Sequence, residues 1–236
     1  MNNEILMQIP KMFTIYNIML LAEAAMTTLL LAAIGCVIGA VFGSLISLVR
    51  LSASPIAIPF KIIATLYVEI LRRVPFLVTL LVLFFGAQVL GIDLSPMAVA
   101  VISTSAISTA FVSEIIRAGL QAVRPSQIEA ATVMNFSAWQ TLYLVRWPQA
   151  WPLILPPLVS YFVLFIKDTA LASQIGVLEL TQAGKILNTK GFSALLVFGT
   201  ILILYFLISY PLSRLGTHLE SKLGSSRHSR SNSPLR

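Results

Sequence analysis

Charged side chains inside apolar runs are the residues of this sequence that could take part in chemistry. Arg72 lies within one such run, and Lys167 and Asp168 end another. Charges in an apolar environment are costly, and they usually mark a solute pathway or a structural ion pair. In the first case the cations would bind a carboxylate and Asp168 an amino group, as a zwitterionic solute requires. In the second case Asp168 pairs with Arg72 or Lys167 and joins two helices.

Two acidic residues have a basic residue one helical turn away. Glu69 precedes Arg73 by four positions, and Glu114 precedes Arg117 by three. These spacings place both side chains of each pair on one helix face, where oppositely charged groups attract. The plainest prediction is therefore an ion pair in each case, near the membrane interfaces.

The sequence carries no pattern for catalysis or for a metal or cofactor site. Paired catalytic carboxylates, a nucleophilic serine with its base, and zinc-ligand spacing are absent. The phosphate-binding pattern GxxxxGKS/T is also missing, because Glu179 stands where the first glycine should be and Ile186 follows Lys185. We expect no enzymatic activity, so that any ATP hydrolysis belongs to a separate subunit.

The composition places these charges in a membrane. Of the 236 residues 57% are apolar and 11% are charged, where a soluble domain has roughly 25% charged residues. The mean hydropathy is +0.89. One core of this size cannot hide so much apolar surface, so part of the solvent must be lipid. The net charge of +7 is not arranged as a basic stripe with aromatics, which argues against nucleic acid.

The apolar runs predict five membrane spans, the second of them long and bent near Pro75. In the first, Gly35, Gly39 and Gly43 share one helix face, which predicts close packing against another helix. The remaining sequence divides into an N-terminal segment (1–17), a transmembrane domain (18–219) and a basic, disordered tail (220–236). The spans are 18–49, 56–90, 97–116, 150–166 and 192–211.

The distribution of Lys and Arg predicts the orientation. With the N-terminus outside, ten of the 16 Lys and Arg residues fall inside, as the positive-inside rule requires. A six-span alternative with the N-terminus inside satisfies the rule equally well. Both place the long polar interval and the C-terminus in the cytoplasm.

That polar interval, residues 120–148, is called the loop segment below, and its pattern predicts two short helices joined by a tight turn. Ser126 and Glu129 have the spacing of a capping box, and Asn135 can adopt the left-handed conformation that ends a helix. Ser137 and Gln140 repeat the capping-box spacing, and the second helix is predicted to run to Pro148. Such a hairpin either packs on the spans of its own chain or docks into a soluble partner.

The loop segment resembles the EAA loop of ABC importer permeases. The family pattern is Glu-Ala-Ala, three residues, Gly, nine residues, Ile-any-Leu-Pro. This sequence keeps every spacing, with Asn in place of Gly, Val in place of Ile and Trp in place of Leu. The matching residues are Glu129, Ala130, Ala131, Asn135, Val145, Trp147 and Pro148.

Four further segments, in order, resemble permeases of the histidine, glutamine and arginine type. The similarity covers about residues 20–215. One departure concerns Arg73 and Val74, which stand where those permeases have Gly and Thr; the added cation would favour an acidic solute. The segments are Tyr67–Leu77, Phe111–Gly119, Leu155–Leu158 and Lys167–Leu171.

The resemblance implies an all-α polytopic membrane protein with five transmembrane helices and a cytoplasmic coupling-helix loop, the MetI-like ABC permease fold. It implies a bacterial inner-membrane subunit that moves a polar amino acid or related compound. Its expected partners are lipid, a cytoplasmic ABC ATPase dimer, a second permease subunit and a periplasmic or tethered solute-binding protein. The resemblance assigns coupling to Glu129, Ala130, Ala131, Asn135 and Pro148, and the substrate pathway to Arg72, Lys167, Asp168 and Thr169.

Two other functions fit the residues without the resemblance. One is a stand-alone secondary carrier or channel that uses the intramembrane Glu, Lys and Asp side chains as a relay. The other is an assembly subunit that transports nothing. A carrier needs no partner at the loop segment, and this requirement separates it from an importer subunit.

Overall fold

The computed structural model describes residues 2–52 and 54–231, and within these residues all regular secondary structure is helical, as predicted. Short 3-10 helices lie at Pro55–Ala57 and Thr169–Ile175, and a π-helical turn lies at Thr141–Arg146. The α-helices are α1 (Asn2–Met12), α2 (Ile15–Leu51), α3 (Ile58–Arg73), α4 (Phe76–Val89), α5 (Pro96–Gln121), α6 (Pro125–Val133), α7 (Ala138–Gln140), α8 (Trp147–Asp168), α9 (Leu180–Thr189) and α10 (Ala194–Ser231).

Within the described residues, four helical stretches are long and apolar enough to cross a membrane: Ile15–Leu51, Pro96–Gln121, Ala138–Ile175 and Ala194–His218. A fifth crossing is available if α3 and α4 count as one broken span. These two helices meet at an angle of 109°. The break follows from Pro75, which lacks an N–H and forces Val74 out of the helical region into extended backbone.

The predicted glycine face of α2 packs against α5. Gly39 lies over Ser108, and Gly43 lies within close reach of the backbone at Thr109 and Ser113. Because glycine has no side chain, the two helix backbones approach more closely than larger residues would allow. Gly35 continues this contact towards Phe165 of α8, so α2 rests against the two helices that carry the candidate site.

Gly39→Ala tests this packing. A methyl group there would overlap Ser108 Oγ and lie 2.9 Å from the Ser108 carbonyl carbon, so α2 and α5 must move apart. We expect the free energy of unfolding to fall by about 1–3 kcal/mol, the usual cost of overpacking. Gly86→Ala is the control, because a methyl group at Gly86 meets nothing within 4 Å. Equal unfolding free energies for the two variants, measured in detergent, would contradict the packing argument.

The turn in the loop segment is as predicted, but the cap of its first helix is not. Asn135 has a φ of 59°, the left-handed conformation expected of it. Ser137 and Gln140 form the second capping box, with distances of 3.2 and 2.8 Å. The first capping box is wrong: α6 begins at Pro125 with Arg124 as its N-cap, and no side chain caps it. Pro125 is well suited to the first helical position, so Ser126 falls inside the helix.

The sequence predicts that the second helix of the loop segment ends at Pro148, and this prediction is wrong. The chain passes from α7 through the π-helical turn directly into α8, which continues to Asp168. Pro148 has no N–H for the carbonyl of Leu144, and its ring crowds that carbonyl. A wider π turn just before the proline accommodates both effects, so the second helix of the loop segment and the predicted fourth span form one continuous helix.

Outside the candidate spans, α9 packs on α2 and α10 through Leu180, Ala183 and Leu187, which lie against Leu21 and Val197. The described part of α10 extends to Ser231. The tail predicted from residue 220 therefore begins within this helix, and residues 232–236 lie outside the described residues.

Candidate solute pathway and coupling surface

Glu114 of α5 is surrounded by three guanidinium groups. Arg50 Nη1 donates to Glu114 Oε2 at 2.8 Å, and Arg117 donates to both carboxylate oxygens, at 2.9 Å from Nε and 2.5 Å from Nη2. The Glu114–Arg117 pair confirms the prediction from spacing. Arg72 Nη1 lies 3.7 Å from Glu114 Oε1. Glu114 and these three arginines, called the arginine cluster below, join the ends of α2 and α3 to α5.

Within the arginine cluster, Arg72 is the guanidinium with the weakest partner. Its only ion-pair and ring contacts among the described residues are the 3.7 Å approach to Glu114 and a position 5.7 Å above the ring of Phe111. A separation of 3.7 Å is too long for a hydrogen bond. The N–H groups of Arg72 therefore remain available to a ligand, and 34% of its side chain is exposed.

Arg72 lines a cavity of about 500 Å³ between α3, α5 and α8. Ligand sites for small molecules fall in the same range of volumes, and they combine apolar walls with a few polar groups. The only charged residues of this wall are Arg72 and Glu114. The other lining residues are Phe111, Ile115, Ala118, Gly119, Ala122, Leu153 and Pro157. We call this space the Arg72 cavity.

Arg73, the residue that departs from the permease pattern, is not among the residues that line the Arg72 cavity. Its side chain is 79% exposed, and its Nη2 lies 2.7 Å from Glu69 Oε2. This confirms the predicted Glu69–Arg73 pair. The charge of Arg73 is therefore compensated by its own helix, and the expectation that it adds a free cation to the site loses its basis.

The structure does not bring Lys167, Asp168 and Thr169 to Arg72. Neither predicted ion pair, Arg72–Asp168 or Lys167–Asp168, is among the contacts of the described residues. Asp168 lies eleven residues beyond the cavity residue Pro157 on α8, which is about 16 Å along the helix axis. Lys167 is exposed and Asp168 half-buried. Thr169 is fully buried, and its hydroxyl donates to Ile166 O at 2.7 Å.

The predicted coupling residues of α6 separate into an outer and an inner face. Glu129 and Ala130 are exposed, as are Asn135 and Pro148 outside that helix, whereas Ala131 is fully buried. Ser126 and Val133 lie beside Glu129 and Ala130 on the outer face, and we call these four residues the docking face.

Several large apolar residues of the loop segment are exposed, and the motif comparison did not single them out as functional. Val133 has 87% and Trp139 has 67% of their surface exposed. Met134, Tyr143 and Leu144 extend this apolar surface. Several large apolar residues exposed within one short segment indicate an interaction surface. In the sequence these residues have no spacing of their own, and the one signal that could have found them is that they lie within the EAA pattern.

Glu179 is a buried acid that sequence reasoning treated only as a missing glycine. It lies between the candidate spans and accepts hydrogen bonds from the N–H groups of Thr181 and Gln182 and from the Tyr205 hydroxyl, at 2.7–2.9 Å. Burial raises the pKa of the Glu179 carboxyl, and these donors offset part of the rise. Glu179 thus caps α9 and ties it to α10, which is a structural role.

Comparison with known proteins identifies the family. Residues 58–224 match the model of the binding-protein-dependent transport system inner membrane component. A probable amino-acid ABC transporter permease of Bacillus subtilis, YckA, is 35% identical over 77% of this chain and 79% of its own length. The glutamine transport system permease GlnP of Escherichia coli is 31% identical over 86% and 93%.

Solved structures agree with this match. A crystal structure of an amino acid ABC transporter with histidines superposes with a TM-score of 0.81 and 32% identity, over 86% of this chain and 94% of that one. The inward-facing methionine ABC transporter MetNI has a TM-score of 0.75 at 19% identity, which shows the MetI-like fold. The chain therefore belongs to the family of inner membrane components of binding-protein-dependent transport systems and is an integral membrane transport subunit.

Proposed function

We propose that this chain is the permease subunit of an ATP-driven importer that moves a polar amino acid or related compound across the bacterial inner membrane. The observation that carries the proposal is the docking face, an exposed helix surface between two spans. The relatives named for amino-acid or glutamine transport support the solute class. The N-terminus lies outside and the C-terminus in the cytoplasm, so the loop segment faces the ATPase subunits.

The structure of the loop segment supports coupling to a separate ATPase dimer. Val133 and Trp139 are too exposed to be part of this chain's own core, and Glu129 has no hydrogen-bond or ion-pair partner among the described residues. Asn135 fixes the turn between the two helices. Because α8 continues from this turn without a break, a movement of the docked loop is transmitted to the helix that lines the Arg72 cavity.

The solute pathway of the proposal contains Arg72, Lys167, Asp168 and Thr169. Arg72 meets the solute in its cavity, whereas Lys167 and Asp168 act at another depth, about 16 Å along α8. The hydroxyl of Thr169 already donates to Ile166 O. Thr169 therefore contributes to the pathway through its backbone and its position next to Asp168. A second permease subunit completes the membrane unit, and a solute-binding protein delivers the solute from outside.

The proposal is tested by purifying the tagged chain in mild detergent and identifying the proteins that elute with it. We expect an ATPase that carries the phosphate-binding loop absent from this sequence, together with ATP hydrolysis in the eluate. A secondary carrier would elute alone even after crosslinking in the membrane, and its transport would stop on addition of an uncoupler. That result would contradict the importer proposal.

A further inference from the structure

The two halves of the broken span, α3 and α4, are joined by the chain without any continuation of the helix. Val74 is extended, and the N–H groups of Val78 and Thr79 donate to Pro75 O at 3.0 and 3.2 Å. Among the described residues, no backbone hydrogen bond crosses from α3 to α4. The direction of α4 is therefore set by what its side chains pack against.

Phe76, the first residue of α4, lies between two hydrophobic clusters. The first cluster is formed mainly by α5 and α8 around Phe165, and it extends to Trp147 at the start of α8. The second is formed by α4, α5 and the 3-10 helix Thr169–Ile175 around Leu80. Among the described residues, Phe76 is the only one that packs against both clusters. It is therefore the point at which α4 meets the core that surrounds α8.

Phe165 of α8 is the stacking partner of Phe76. The two ring centroids lie 6.4 Å apart and the ring planes differ by 17°, a favourable geometry for an aromatic pair. Phe165 is fully buried. Its ring also stacks on Tyr161 at 5.4 Å, and a methyl group at Gly35 of α2 would come within 2.8 Å of it. The ring is thus confined by α2 and by its own helix, so it offers a fixed surface to Phe76.

We infer that Phe165 is a positioning residue of the broken span: its stack on Phe76 holds α4 to α8, so that α4 follows α8 when the docked loop segment moves. The backbone of α4 packs mainly on α5 and on the 3-10 helix Thr169–Ile175, and the Phe76–Phe165 pair adds the link to α8. The movement of α8 rests on the proposed function, whereas the hold on α4 rests on the contacts alone.

The test measures the distance between α4 and α8 by electron paramagnetic resonance in the complex purified through the tagged chain. Spin labels are attached at Val82→Cys on α4 and Ser160→Cys on α8, two exposed positions. Cys36, the only cysteine of the sequence, is first replaced by alanine. Co-expression with an excess of unlabelled chain leaves at most one labelled copy in a complex.

In the parent we expect one distance, which is the same in the nucleotide-free complex and in the complex trapped with ATP and vanadate. In Phe165→Leu a second distance should appear. Its population relative to the first should rise by about two- to tenfold, the effect of losing one aromatic pair.

Phe162→Leu is the matched control, because it makes the same substitution on the same helix and its ring has no contact with Phe76 among the described residues. Phe76→Leu removes the pair from the other side at a half-buried position, so it tests the inference even if Phe165→Leu does not fold. A reference pair, Ile102→Cys with the label on α8, spans α5 and α8. Its distance should be the same in every variant.

The inference is overturned if the α4–α8 distance is unchanged in both Phe165→Leu and Phe76→Leu, or if Phe162→Leu has the same effect. It is also overturned if the reference distance changes together with the α4–α8 distance, since the whole core would then have loosened. A parent distance that changes on trapping with ATP and vanadate would show that α4 does not follow α8.

The same preparation separates this inference from the proposed function. If no ATPase is present after crosslinking, the importer proposal fails, and the nucleotide-free distances of the parent and Phe165→Leu still decide whether Phe165 holds α4. If an ATPase is present but the variants leave the α4–α8 distance unchanged, the inference fails and the importer proposal stands.

Discussion

We expect ATP-driven uptake to be lost in Glu129→Ala and in Val133→Asp. This is the largest effect that we expect from any single substitution in the loop segment. Both residues lie on the docking face and are exposed in this chain. Val133→Asp introduces a charge at the most exposed apolar position of the docking face, and burying an unpaired charge on docking is strongly unfavourable. The ATPase should therefore no longer elute with either variant, and uptake in proteoliposomes or cells should fall to background.

These substitutions leave the fold of the permease intact, because neither residue has a packing role in the chain. Ala131, by contrast, is fully buried, so a substitution there would affect the folding of the permease as well as docking of the ATPase. Gln127→Ala is the matched control on the same helix, since the Gln127 side chain turns towards Gln149 of α8. Membrane insertion and elution volume in detergent should be the same for all three variants. Normal uptake by both docking-face variants would remove this surface from the coupling mechanism.

The second large effect is on stability, and it is expected for Glu114→Gln. This substitution keeps the size of the side chain but removes the charge that holds Arg50, Arg72 and Arg117 together. Removing one partner of a buried ion pair leaves the other charge uncompensated, which costs about 3–5 kcal/mol. Because 18% of Glu114 is exposed, we expect a loss near the lower end, about 3 kcal/mol.

Glu69→Gln provides the comparison for Glu114→Gln. Among the described residues Glu69 forms one ion pair, with Arg73, and both side chains are well exposed; its charge acts on Arg117 only at longer range. Exposed pairs of this kind contribute less than about 1 kcal/mol. The free energy of unfolding in mixed detergent, measured by titration with a denaturing detergent, should therefore fall far more in Glu114→Gln than in Glu69→Gln. Similar losses in both variants would show that the arginine cluster is no more than a set of surface pairs.

Features that depend on nearby residues could be predicted from the sequence. The excess of apolar residues indicated the membrane, and the spacing of Gly35, Gly39 and Gly43 predicted a close helix contact that the structure confirms. The pairs Glu69–Arg73 and Glu114–Arg117 followed from helical periodicity. These predictions succeed because composition and one or two helical turns already fix the physical outcome.

Local patterns failed where two of them competed for the same residues. Ser126 and Glu129 have the spacing of a capping box, but Pro125 sets the start of the helix and leaves Ser126 inside it. The pattern at Pro148 indicated a helix end, but the π-helical turn accommodates the proline, so the helix continues. In both cases the pattern was present, but the backbone accommodated the proline differently: α6 starts at Pro125, and a π-helical turn precedes Pro148.

Only the tertiary structure decided the candidate site. Arg50 lies 64 residues from Glu114 in the chain, and nothing in the spacing of either residue predicts their contact. The sequence had grouped Arg72 with Lys167 and Asp168 on chemical grounds, whereas the structure groups it with Arg50 and Glu114. The reason is geometric: the glycine contact brings α2 against α5, and α3, which ends just before the bend at Pro75, packs against both. Contacts between distant residues depend on how helices cross, which the periodicity of a single helix does not contain.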